Sequence, residues 1–147
     1  MFNFTVVSVG KLKSAPIHTL VKDYQSRLKR TGKIESIILS DGTVESEGQR
    51  MLGLINKRPS AKVFVLSEEG PGMSSVQLAR TVKDLQGQHA LFIIGGAYGL
   101  SEAVKASADQ LLSLSPMTFT HEMAALLLTE QLYRSVSINN GSKYHHS

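Results

Sequence analysis

The sequence predicts an α/β domain: a mostly parallel sheet with helices on both faces. Three observations lead there. Short β-branched or apolar runs alternate with segments whose apolar residues recur at helical spacing, and such alternation joins parallel strands through crossovers. The most apolar run, "ALFII", leads directly into "GGAYGLS", as a buried strand does where it turns sharply into the next element. No repeat, low-complexity stretch or Pro/Gly linker divides the 147 residues, so residues 1–147 are expected to form a single domain around one sheet.

The elements follow in order. "FTVVSV" is β-branched and predicts a strand over about residues 3–9. "APIHTLVKDYQSRLKR" predicts a helix, with Pro16 in its first turn and Ile17, Leu20, Val21, Tyr24 and Leu28 inward. "KIESIIL" is a second strand, "SDGTVESEG" a polar loop, and "GQRMLGLINK" a short helix with Met51, Leu54 and Ile55 inward. "AKVFVLS" is a third strand. "SSVQLARTVKDLQGQ" is a helix opened by a Ser74/Gln77 capping box and ended near Gly87. After the fourth strand "ALFII", Ser101 caps a helix over residues 102–109, and "QLLSLS" is a short fifth strand. "HEMAALLLTEQLYRSVSI" is a long helix, apolar on nearly every side, and "NNGSKYHHS" is a polar tail. Ala124, Ala125, Leu126, Leu127, Leu128, Leu132 and Val136 cannot all face one sheet, which points to a homodimer.

Composition narrows the function. At 41% hydrophobic and 19% charged residues the chain has no disorder signature. The absence of Cys excludes disulfides and thiolate metal sites and suits a reducing compartment. No run approaches the ~20 apolar residues of a membrane span, and the N-terminus lacks the basic opening of a signal peptide. The net charge of +4 is unevenly spread. Residues 1–33 hold seven Lys/Arg against Asp23 alone, which suggests a polyanionic partner. Lys22, Arg27, Lys29 and Arg30 lie on the exposed side of the first helix.

In parallel sheets ligands gather beyond the carboxyl ends of the strands. Three segments fall there: the loop after Leu66, the glycines after Ile94, and "LSPMTFTH" after the fifth strand. The spacing of Gly95, Gly96 and Gly99 is G-G-x-x-G, not the dinucleotide fingerprint. "HEMAA" lacks the second His of a zinc protease, since residue 125 is Ala. The two tail histidines, without acidic partners, make a poor metal cage, so no metal is expected.

The set "FTVVSVGKLK", "VLSEEGPGMSSVQLA", "FIIGGAYGLS", "LSLSPMTFTHEM", "LLTEQLYRSVSI" and "YHH", in this order, resembles the SPOUT-class ribosomal RNA large subunit methyltransferase H family. The resemblance implies a deep trefoil knot in the C-terminal half and a homodimeric, cytoplasmic enzyme. It also implies S-adenosylmethionine as cofactor and methylation of N3 of a pseudouridine in large-subunit ribosomal RNA on assembled ribosomes. It places Leu66, Gly95 and Gly96 at the cofactor, with Leu114, Ser115, Pro116, Met117, Thr118 and Phe119 around the adenine. It places His121, Tyr144 and His145 at the substrate, where a His or a phenolate could accept the N3 proton, and Arg134 near the subunit interface. Two positions depart from the family pattern: Ala125 and His146 stand where basic residues are usual. The alternatives are a catalytically weak knotted module that binds RNA or the ribosome, and a related transfer-RNA methyltransferase.

Overall fold

The computed structural model describes residues 1–146. The order is β1 (Phe2–Val9), α1 (Ala15–Leu28), β2 (Gly32–Leu39), α2 (Val44–Asn56), β3 (Lys62–Leu66), α3 (Ser75–Asp84), β4 (His89–Ile93), α4 (Glu102–Ala106), β5 (Gln110–Leu112) and α5 (His121–Asn139). The sheet runs β2-β1-β4-β3-β5. Every pairing is parallel, as the alternation predicts.

Strand alternation sorts the core into two layers. Phe4, Val6, Phe64 and Phe92 face Leu28 of α1, Leu78 of α3 and Leu128 and Leu132 of α5. Phe64 stacks on Phe92 at 5.0 Å between centroids, and Phe4 meets Phe92 edge-on at 5.6 Å. Val7, Val9, Val65, Leu91 and Ile93 face the other way, toward Met51 of α2 and Val104 of α4. Phe92 is wholly buried, and burial of such a ring stabilises the fold by about 1.5–3 kcal/mol.

Several boundaries differ from the sequence reading, each for a local reason. Helix α2 begins at Val44 rather than at residue 48. Thr43 caps it, and Ser46 returns a bond to the Thr43 amide at 3.0 Å, so Ser does the work expected of Glu or Gln in a capping box. Helix α1 stops at Leu28, leaving Lys29 and Arg30 in the turn before β2. Leu20 faces solvent, at 46% exposure, instead of packing inward. Helix α4 ends at Ala106. There the Ser107 hydroxyl donates to the Val104 carbonyl at 2.6 Å, and the Asp109 carboxylate accepts the Val63 amide at 2.7 Å. Strand β5 is shorter than predicted and ends at Leu112.

The capping box of α3 forms as predicted, with bonds of 2.8 and 3.1 Å between Ser74 and Gln77. Gly87 takes φ +84° beyond the helix end, a conformation glycine adopts without strain. Helix α5 lies over the β1–β4–β3 face with α1 and α3 beside it, which buries Ala125, Leu128, Leu132 and Val136 within one chain. Its apolar excess is therefore narrower than the sequence suggests. Met123 is 36% exposed, and Leu126 and Leu127 are half-buried.

Candidate active site

The loops after β3, β4 and β5 converge, as the sheet topology predicts. The Ser67 amide donates to the Leu112 carbonyl at 3.0 Å, and the Ser113 amide to the Pro71 carbonyl at 3.2 Å. Between the loops lies a cavity of about 440 Å³, within the range of small-molecule sites. Its walls include Leu66, Gly95, Gly96, Leu114, Ser115, Met117, Thr118, Phe119 and His121. Of the cofactor residues expected from sequence, only Pro116 does not line it. Ser67, Glu68, Glu69, Ile94, Tyr98 and Ser113 also line it and were missed. Their signal was position alone: each lies just past, or at the carboxyl end of, a strand that the sequence does reveal.

The two adjacent glycines line the cavity with backbone, but their missing side chains face protein. A Cβ on Gly95 would sit 2.8 Å from Leu100 Cγ and 3.0 Å from the Gly99 carbonyl carbon. One on Gly96 would sit 3.1 Å from Glu47 Oε1 and 3.3 Å from Val9 Cγ1. These glycines permit close chain-to-chain approach around the cavity, and a Cβ would meet the protein first. Glu47 is an unanticipated buried carboxylate, 7% exposed. Its Oε2 accepts the Gly42 amide at 2.9 Å, so α2 braces both the β2–α2 loop and the back of Gly96.

His121 begins α5 at the cavity, whereas Arg134 lies near the helix's other end, about 20 Å away along the axis at 1.5 Å per residue. Arg134 belongs to a second cluster built around Glu130. Its Nε donates to Glu130 Oε1 at 3.0 Å, and the Tyr144 hydroxyl donates to the same oxygen at 3.0 Å. The Tyr144 hydroxyl also meets that of Tyr24 at 3.1 Å, and its ring packs edge-on against Tyr133 at 4.7 Å. Arg134 Nη1 is 3.1 Å from His145 Nδ1. The polar tail is thus docked on its own chain through Tyr144. Within one chain, His121 and the cluster of Arg134, Tyr144 and His145 stand apart.

Burial, then hydrogen bonds with Tyr24 and Glu130, push the Tyr144 phenol well above its ordinary range. That is a poor setting for a phenolate base. A guanidinium only donates, so Nδ1 of His145 is the acceptor and a neutral ring carries its hydrogen on Nε2.

On α1, Lys22 is exposed, as are Lys29 and Arg30 beyond the helix. Arg27 is engaged within the chain. It pairs with Asp23 at 3.0 Å and lies 5.2 and 5.6 Å from the ring centroids of Tyr24 and Tyr133. Ala125 packs into the core beside Leu128, so this departure leaves no cation on that stretch of α5.

A parallel α/β sheet with a partly apolar cavity at its strand ends is the arrangement of a small-molecule-binding α/β domain. The family described as predicted SPOUT methyltransferase matches residues 2–145. Proteins named ribosomal RNA large subunit methyltransferase H are similar over nearly their whole length. The one from Clostridioides difficile is 39% identical over 97% of this chain and 99% of the relative. That from Geotalea daltonii is 40% identical over 96% and 97%, and that from Shouchella clausii 40% identical over 97% and 99%. Solved structures share the fold at low identity. A probable methylase family protein from Haemophilus influenzae aligns with TM-score 0.56, 11% identity, 97% of this chain and 68% of that one. The SpoU methyltransferase AviRb from Streptomyces viridochromogenes, solved with AdoMet, aligns with TM-score 0.52, 14% identity, 97% and 59%. The chain belongs to the SPOUT methyltransferase family.

Proposed function

We propose that this chain is an S-adenosylmethionine-dependent methyltransferase acting on N3 of a pseudouridine in large-subunit ribosomal RNA of the assembled ribosome. In this reading it is a cytoplasmic homodimer. The observation that carries the proposal is the near-full-length match to relatives named for methylating large-subunit ribosomal RNA.

The residues at the cavity suit the cofactor. Leu66, Leu114 and Phe119 offer apolar walls for an adenine, and Ser67, Ser113 and Ser115 offer polar atoms. Glu68, which accepts from the Thr118 hydroxyl at 2.7 Å, offers its carboxylate to the positively charged end of the ligand, while Glu69 pairs with Lys105 at 3.2 Å. When bound, the cofactor supplies a methyl group on sulfonium, activated for transfer without a metal. The family's trefoil knot would run through the same loops. There Gly70 lets the segment after β3 lie close against β5: a Cβ would sit 2.8 Å from Leu111 Cβ and 2.9 Å from its carbonyl carbon.

The protein must hold the acceptor nitrogen in line with the methyl group and remove the N3 proton as the N–C bond forms. His121, which lines the cavity, is the acceptor we assign. Arg134 and the Nε2–H of His145 act as donors toward the charge that develops on the imide oxygens. Tyr144 positions the tail. Because His121 and the tail cluster are separated in one chain, the reading joins the cavity of one subunit to the tail of the other. Met123, Leu127 and Phe119, exposed or half-buried along α5 and the preceding loop, supply the apolar contact between subunits. Lys22, Lys29 and Arg30 contact phosphates.

The test is transfer of labelled methyl groups to ribosomes lacking the modification, followed by nucleoside mass spectrometry. N3-methylpseudouridine in large-subunit RNA is the expected product. A product in transfer RNA alone, or no product with cofactor bound, would overturn the proposal.

A further inference from the structure

Two features at the carboxyl-end side of the sheet, one lining the cavity and one tied to the first turn of α5, are unused by this reading. Tyr98 is 89% exposed on a turn that lines the cavity. The turn is tightly held: the Gly99 amide donates to the Gly96 carbonyl at 3.1 Å, Gly99 has φ +85°, and Leu100 packs on the second core layer. The Tyr98 ring has no aromatic or hydrogen-bonding partner among the described residues. It is an aromatic face presented to solvent on a firm support.

The second feature is the β1–α1 loop. Leu12 packs into the core, which leaves Lys11 and Lys13 exposed on either side of it. Glu122 accepts the Lys13 and Ser14 amides at 2.6 and 3.0 Å, tying the loop to the first turn of α5 beside His121. At the loop's start, Val9 lies against Gly96, two residues before Tyr98. Neither lysine forms a side-chain ion pair among the described residues.

We infer that this rim is an RNA-docking surface: Tyr98 stacks on a nucleobase flanking the target, and Lys11 and Lys13 hold the adjoining phosphates. The inference rests on the proposed RNA substrate. A base can reach a cavity at strand ends only when splayed out of its stem. Splayed single-stranded segments are held by aromatic stacking and backbone cations. A rim of one free aromatic and two free ammonium groups has that complementarity, whereas a protein partner would not need the cations.

The experiment uses the full-length, cofactor-loaded protein and 70S ribosomes. It measures ribosome affinity against salt, cofactor affinity, sedimentation and methyl transfer. Tyr98→Leu should weaken ribosome binding about tenfold, and Tyr98→Phe should restore it. The Lys11→Ala/Lys13→Ala double variant should flatten the salt dependence by roughly 0.7–0.9 per lysine in log–log slope. In the lysine double variant, which leaves the cavity lining intact, cofactor affinity and assembly state should not move. Wild-type ribosome affinity in Tyr98→Leu at saturating cofactor, or a change in its assembly state, overturns the inference. If these variants weaken ribosome binding while the wild type transfers no methyl group, the rim stands and the proposed reaction falls. If the wild type methylates and the rim variants are unaffected, only the rim falls.

Discussion

Replacing Glu130 with Ala should uncouple the tail from the rest of the enzyme. Glu130 is 15% exposed and Arg134 25%, so their pair lies between a solvated surface bridge and a buried one. The same carboxylate accepts from Arg134 Nε and from the Tyr144 hydroxyl, both at 3.0 Å. Hydrogen bonds to a charged group contribute about 1.5–3 kcal/mol each. Of these two bonds only that of Tyr144 joins the tail to α5, since Arg134 lies on the same helix as Glu130, and the cost of ordering the tail is common to the wild type and the variant. A net loss of about 1.5–3 kcal/mol in docking is therefore expected, which raises the undocked fraction by roughly ten- to a hundredfold. Single-turnover methyl transfer at saturating enzyme and cofactor should fall by about tenfold or more, while cofactor affinity holds. Amide exchange should show residues 142–146 losing protection. Glu130→Gln, which keeps an acceptor oxygen, should lose less. An unchanged rate in a folded Glu130→Ala protein with a freed tail would refute the reasoning, since tail docking would then have no part in transfer.

Other outcomes follow from the same geometry. Gly96→Val places its branches against Glu47 and Val9 and should weaken cofactor binding more than tenfold, at least about 1.4 kcal/mol, with lowered stability, read by calorimetry and denaturant titration. Leu127→Asp should give monomer or insoluble chain, because an unpaired carboxylate at an apolar contact is costly, and sedimentation at micromolar concentration decides it. His89 Nε2 lies 2.8 Å from the buried Thr5 hydroxyl, and burial, then nearby Arg58, hold its pKa below 6.5. Protonation therefore favours the unfolded chain. The contribution is present above pH 6.5 and is lost as pH falls toward the folded value, so His89→Gln should reduce the acid sensitivity of stability in that window.

Periodicity gave the order of elements because both faces of a parallel sheet must be covered, and the alternation of Phe64 and Phe92 with Val65 and Ile93 follows from that need. The cavity was legible for a related reason: three strands end where loops must meet, so the loop after Leu66, the glycines after Ile94 and "LSPMTFTH" could be named without knowing what fills the space, while the individual cofactor residues came from the family resemblance. The long-range partners were not legible. Nothing local in "TVESEG" shows that Glu47 will reach the back of Gly96, and nothing in "SKYHH" shows that Tyr144 will find Tyr24 and Glu130. Asp23 at i−4 was legible as a local partner for Arg27 on α1, whereas the Tyr133 ring reaches it only on folding. The direction of a missing Cβ at Gly96 likewise depends on which neighbour the fold supplies.

The account turns on a methyl-transfer site made from two subunits, and complementation tests it most directly. One chain carries His121→Ala, damaging the cavity, and another lacks residues 142–147, removing the tail. Each is purified as a folded, cofactor-binding protein, and the two are mixed under conditions that exchange subunits. Each alone should transfer methyl groups to ribosomes at roughly a hundredth of the wild-type rate or less. In a two-fold dimer with random exchange, about half the dimers are mixed and each restores one of its two sites, so activity should return to roughly a quarter of wild type. A mixture that forms hybrid dimers yet stays at the level of the separate variants would contradict the shared site.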